Sequence, residues 1–169
     1  MTQRWLCITN FLLFQTCWWA AFYAQQRALP VMALCLLIML WLSSERRRDL
    51  YLCITLVLAF ACEALAQRFG LLQFSDATVP AWLLLLWLAL ILTINHSLAF
   101  IKRLPWWQCL LLCWLCAPSS YITAAHFEIF ALGVSWWQFY LLYGGLWAVT
   151  FTLMIVINRH LKHVVTHTG

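Results

Sequence analysis

Charge is what this sequence has least of. Of 169 residues, ten are Lys or Arg and five are Asp or Glu, 9% in all, against about 25% in an ordinary soluble domain. The chain is 66% hydrophobic, with a mean hydropathy of +0.87. No water-soluble fold buries that much apolar surface, so the bilayer must be the solvent. The net charge of +5 is not a nucleic-acid signal, because the basic residues sit at the ends of apolar runs, where they orient a membrane protein.

Other absences narrow the reading further. There is no Cys-x-x-Cys pair in a polar loop: Cys7, Cys17, Cys35, Cys53, Cys62, Cys109, Cys113 and Cys116 all lie inside apolar runs, where a thiol behaves as a small hydrophobe. Cys109, Cys113 and Cys116 share one helix face, but no further ligands stand at their depth, so no metal is expected. The first apolar run, 5–24, is too long for a signal-peptide core and Gln15 interrupts it without a cleavage pattern, so it reads as a first span. No internal repeat suggests an inverted-repeat transporter. No phosphate loop and no nucleophile beside a base can be read.

What is present is a series of apolar stretches. Pro80 to Lys102 has some fifteen almost wholly apolar positions, then Thr93, Asn95, His96 and Ser97 within a continuing apolar run. At 1.5 Å per residue such a helix crosses a hydrocarbon core of about 30 Å. The whole chain reads as an all-α, polytopic transmembrane helical bundle in one domain, 1–169. Its six spans fall at about 5–24, 28–42, 50–69, 80–101, 106–125 and 136–158. A charged loop runs from Ser43 to Asp49, a more polar one covers 70–79, and 126–135 forms a loop or short interfacial helix. Many of the twelve Trp lie near span ends, as interfacial indoles do. Six spans put Arg4, Arg46, Arg47, Arg48, Lys102, Arg103, Arg159 and Lys162 on one side and only Arg27 and Arg68 on the other. Positive residues favour the cytoplasm, so both termini are expected there.

Polar groups inside these spans are the candidate sites. Glu63 lies about 20 Å from the cytoplasmic end of its span, and an ionised carboxylate there costs several kcal/mol unless paired. Its face continues through Ala59, Ala66, Gln67 and Gly70, which suits a helix contact. Matching depths gives a candidate cluster of Gln15, Glu63, Ser119, Ser120 and Tyr121, beside a kink at Pro118. Two readings stand for Glu63: a proton or cation site, or a neutral carboxyl hydrogen-bonded to a neighbouring helix. Nearer the cytoplasm, Asn10, Thr93, Asn95, His96 and Ser97 form a second cluster. Ala89, Thr93 and Ser97 give it a small-residue packing stripe, as do Gly144, Ala148 and Thr152 in the last span. A haem needs two His at one depth. His126 is near the far surface, and His160, His163 and His167 lie at or beyond the last span, so no cofactor is expected. His126 and Glu128 read as a solvated loop pair.

The stretches Pro80-Ala81-Trp82-Leu83 and Thr93-Ile94-Asn95-His96-Ser97-Leu98 resemble a family of small bacterial inner-membrane proteins of unknown function. Asn10 to Gln15 with Trp18, the acid at 63 and Ser120-Tyr121 after Pro118 fit the same pattern. Two features depart from it: Glu63 stands where Asp is expected, and Cys116 to Tyr121 is a loose version of the family's small-residue turn. The resemblance implies a multi-pass inner-membrane location and an association with genes that modify unsaturated fatty acids, as in cyclopropanation. It implies no chemistry for any residue.

Three classes of function remain. The first is a non-catalytic accessory or lipid-handling partner of another membrane or lipid-modifying protein. The second is an integral-membrane enzyme acting on acyl chains, with His96 or Glu63 as acid or base. The third is a small transporter coupled to a proton on Glu63.

Overall fold

The computed structural model of the chain describes residues 3–74 and 78–167, with side chains as far as Leu161. Ser75 and Asp76, and the side chains of Lys162, His163 and His167, lie outside the described residues. Helix α1 is Gln3–Ala24 and α2 is Leu29–Leu42, joined by the 3₁₀ turn Gln25–Ala28. That turn reverses the chain. Cys17 Sγ lies 3.9 Å from the Met32 carbonyl oxygen, whereas an unbroken helix would hold these residues roughly 22 Å apart. Next come α3, Arg46–Cys53, and α4, Leu56–Arg68, then α5, Ala81–Thr93, α6, Trp106–His126, and α7, Trp136–His167. Two short strands, β1 (Leu72–Gln73) and β2 (Ala131–Leu132), pair antiparallel, Leu72 opposite Leu132. Glycine lets them close: a Cβ on Gly133 would fall 1.9 Å from the Gly70 carbonyl oxygen.

Among the described residues, four helical stretches are long and apolar enough to cross a membrane: Gln3–Leu42 taken with its turn, Arg46–Arg68, Trp106–His126 and Trp136–Leu161. Helix α5 is apolar but shorter. The outward faces match this. Leu37, Ile54, Val57 and Leu115 are each more than 60% exposed, a load of bare hydrocarbon that belongs in lipid.

Helix α5 is the centre of one group, packed on α1, α2, α3 and α4, while α7 runs along α6 and rests on α3 and α4. Lipid tails are as apolar as leucine, so close packing rather than water exclusion holds such helices together. Gly144 shows how. A Cβ there would lie 2.6 Å from Pro118 Cγ and 2.7 Å from Trp114 Cδ1, so its absence lets α7 close on α6 at the proline. Ala148 and Thr152 continue that buried stripe, and Thr152 Oγ1 reaches Cys109 Sγ at 3.8 Å.

The structure corrects three expectations. The helix beginning at Ala81 does not run on to 101: it ends at Thr93, followed by turns over 94–98 and a 3₁₀ helix at Ala99–Arg103. Thr93 Oγ1 returns to the Leu90 carbonyl at 2.5 Å, the Leu98 amide closes on the Thr93 carbonyl at 2.9 Å, and the side chains of Asn95 and Ser97 are drawn to partners on other elements, Asp49 and Asn10. Second, helix begins at Arg46, so Asp49 is not in a loop but in α3, 1% exposed. Third, α7 continues as helix to His167, past the expected end at 158.

Candidate functional site

Glu63 sits in the middle of α4 on a stripe with Ala59, Cys62 and Ala66, all buried; Glu63 itself is 0% exposed. Small neighbours on that stripe bring α5 and α7 close, and three aromatic side chains reach in. Trp87 Nε1 of α5, Tyr121 OH of α6 and Tyr143 OH of α7 each donate to Oε1 at 2.7 Å. The indole can only donate, which fixes Oε1 as its acceptor. The second oxygen, Oε2, has no hydrogen-bond partner. The donors are packed in turn: the Tyr121 and Tyr143 rings are 4.7 Å apart, Phe139 stacks on Tyr143 at 4.7 Å, and Trp147 lies 4.9 Å from Trp87. One carboxyl group thus ties four helices through rigid aromatic arms.

Of the cluster expected around Glu63, only Tyr121 touches it. Ser119 and Ser120 return their hydroxyls to the Cys116 and Ala117 carbonyls at 2.6 and 2.8 Å, satisfying their own helix beside Pro118. Gln15 is part-exposed and lines a cleft described below. Trp87 and Tyr143 were not expected there.

A second polar centre forms where helices end. Asp49 accepts from Ser43 Oγ at 2.5 Å and from Asn95 Nδ2 at 2.7 Å, and faces His96 Nε2 at 2.9 Å. Asn95 Oδ1 accepts from Lys102 Nζ at 2.8 Å and Asn158 Nδ2 at 2.9 Å. Arg48 donates to the Asn158 carbonyl and to Glu45, both at 2.8 Å. Beside it, Ser97 Oγ donates to Asn10 Oδ1 at 2.7 Å and Asn10 Nδ2 to the Leu92 carbonyl at 3.2 Å. The expected group of Asn10, Asn95, His96 and Ser97 is therefore brought together, while Thr93 stays on its own helix. Asp49, Ser43 and Asn158 were not foreseen. The crevice beside His96, lined by Asn10, Met39 and Ser43 among others, holds only about 10 Å³. That is room for about one water, and the hydrogen bonds of this centre fasten the ends of helices to one another.

The space for a ligand lies elsewhere. Phe22 of α1 meets Phe127, the residue after α6, with ring centroids 5.1 Å apart, and the two helices elsewhere leave a cleft of about 580 Å³. Such a volume falls within the roughly 300–1,000 Å³ of small-molecule sites. Its walls come from α1 (Phe14, Trp18), α5 (Leu86, Trp87), α6 (Leu112, Cys116, Tyr121) and α7 (Trp147, Phe151). Leu112, Cys116 and Phe100 are exposed along its open side. Trp87 and Tyr121 each serve twice, presenting a ring to the cleft and a polar tip to Glu63. A shallower hollow of about 730 Å³ lies beside the β1–β2 pair, where His126 and Glu128 are both exposed.

A mostly helical bundle with four such apolar stretches and a carboxyl buried among them defines a helical membrane protein. Within that class the chain belongs to a protein family of unknown function, DUF2878, whose model matches residues 7–153. The matched region contains Glu63, its three donors and Asp49. No curated protein and no solved structure matches the chain.

Proposed function

We propose that this protein is a non-catalytic, lipid-handling component of the bacterial inner membrane that holds an acyl chain in the cleft between α1 and α6. The carrying observation is the cleft itself: lined mainly by apolar side chains from four helices, open along one edge, and walled by two of the aromatic residues that hold Glu63. No Asp, Glu, His, Lys or Arg is among its lining residues, so the Ser120 hydroxyl and the Cys113 and Cys116 thiols there have no base to activate them. That favours holding a chain over altering it. The bilayer is the first partner. A lipid-modifying membrane protein that takes up or delivers the chain is the second.

In this reading the chain crosses six times with both termini in the cytoplasm. The reversal between α1 and α2 and the clustering of Lys and Arg on one side support that arrangement, and reporter fusions at Gln73 and at the C-terminus should then read opposite sides. The test of lipid holding is native mass spectrometry of the protein released from a mild detergent. The wild type should retain a lipid, and filling the cleft with Leu112→Trp and Cys116→Trp should abolish that retention without loss of helix content. Equal retention by both would overturn the proposal.

A further inference from the structure

Resting on that reading, we infer that the chain held in the cleft carries an uncharged hydroxyl group partway along its length, and that Gln15 and Ser120 recognise it. Gln15 lines the cleft and is part-buried. Among the described lining residues it is the one side-chain amide. Its polar neighbours on α1 are satisfied within the protein: Thr16 Oγ1 donates to the Leu12 carbonyl at 2.9 Å, and Asn10 bonds to Ser97 and to the Leu92 carbonyl. Gln15 makes no hydrogen bond to any described residue. An amide brings two N–H donors and an acceptor oxygen, and lipid hydrocarbon offers nothing to meet them. An occupant of the cleft with a polar group at that level does.

Register places Ser120 level with that amide. Phe22 and Phe127 touch where α1 and α6 both end, so the two helices run toward this contact together, and both line the cleft on the way. Gln15 precedes Phe22 by seven residues, and Ser120 precedes Phe127 by seven. Each therefore lies about 10 Å below the contact. Trp19 and Tyr23 pack on Phe22, as aromatic residues of the lipid–water boundary do. The pair thus stands inside the hydrocarbon layer, whose half-thickness is about 15 Å. Ser120 Oγ gives its proton to the Ala117 carbonyl at 2.8 Å, which leaves it able only to accept from a ligand. Trp87 and Tyr121 turn their polar tips away, to Glu63. These groups select the ligand's chemistry. No charged side chain is among the described lining residues, so the group they meet is neutral. A carbonyl oxygen accepts from Gln15 Nε2 but leaves Ser120 Oγ unmet. A hydroxyl accepts from Gln15 Nε2 and donates its proton to Ser120 Oγ, so it answers both sides. A plain hydrocarbon chain answers neither and strands the amide.

The experiment is competition native mass spectrometry of the full-length protein in a mild detergent. Stearic acid, a stearic acid hydroxylated at mid-chain and the matching keto acid are supplied in equal amounts. The wild type should retain the hydroxy acid about fivefold over stearic acid, the ratio that one well-placed neutral hydrogen bond gives, with the keto acid between them. Gln15→Leu keeps a side chain of similar size at a part-exposed position. It should abolish the preference while stearic acid stays bound. Ser120→Ala should remove the preference for the hydroxy acid over the keto acid. Equal retention of the three acids by the wild type, a keto acid retained as well as the hydroxy acid, or a preference that survives Gln15→Leu overturns the hydroxyl assignment and leaves the acyl-chain reading standing. A wild type that retains none of the three overturns both.

Discussion

Two buried carboxylates of this protein, Glu63 and Asp49, solve one problem in opposite ways. Both Glu63 and Asp49 are removed from solvent, and each is met by three polar groups. Glu63 lies within an unbroken helix, and its partners come from the interiors of three others. Helix axes pack about 8–10 Å apart, so only long, stiff side chains such as Trp and Tyr span the distance. Asp49 lies where α2 has just ended and α5 has unwound, and there the short arms of Ser43 and Asn95 suffice. The first solution leaves regular helices with an apolar wall facing a cleft. The second fills its space with amides and leaves room for little more than a water. In the proposed reading, ligand holding belongs to the Glu63 end and fastening to the Asp49 end.

That division can be tested by removing each acid. Asp49→Ala should have the largest effect, since it strands Asn95, Ser43 and His96 at once; each buried polar group left unpaired costs about 1–3 kcal/mol. It should appear as a lowered unfolding midpoint in detergent. Glu63→Leu should cost somewhat less, about 2 kcal/mol, because unpaired buried donors cost about 1–3 kcal/mol and the hydroxyls of Tyr121 and Tyr143 can turn to each other. Reversal of this order would break the comparison. Glu63→Gln keeps an acceptor oxygen and should cost only about 1 kcal/mol with lipid retention intact. Retention lost at normal accumulation would instead give Glu63 a proton-exchanging role.

Gly144→Ala drives a methyl into Pro118 and Trp114, an overpacking worth about 1–3 kcal/mol, and should loosen α6 from α7. Circular dichroism melts would show it, and Gly145→Ala, whose Cβ meets nothing within 4 Å, is the control. The smallest effect is expected from the thiols. All eight Cys are free, and Cys116→Ser at an exposed position should change stability by less than about 0.5 kcal/mol. A collapse of the wild type under reductant would contradict the packing role given to the other seven.

The sequence disclosed the class of protein and, of Glu63 and Asp49, only Glu63. Glu63 stood out because nothing else charged interrupts an apolar run so deeply, and Tyr121 was found by matching depths. Trp87 and Tyr143 were missed although the same count would have found them. Glu63 and Tyr121 each lie five residues before their helix ends, and Trp87 and Tyr143 lie six and seven after theirs begin. All four therefore fall within about 3 Å of one depth when counted from that side. Counting from the other side brought in Gln15 and Ser119 instead. Asp49 was hidden by its neighbours. Arg46-Arg47-Arg48 reads as a solvated run, yet the helix starts within it and turns Arg48 and Asp49 inward. The break after Thr93 left a trace in Thr93, Asn95 and Ser97, residue types that are poor formers of helix interiors, but the apolar residues around them masked it. The cleft left no trace, because it arises from two helices that fail to pack, and no residue pattern on either one records that.

The most direct test of the account is a density map of the protein in a lipid nanodisc. It should show a continuous acyl-chain density between α1 and α6, lying against the rings of Trp87 and Tyr121, with Glu63 directly behind them and out of contact with lipid. A map in which α6 closes against α1 and leaves no density between them, or in which Glu63 faces the bilayer without its three aromatic donors, would contradict it.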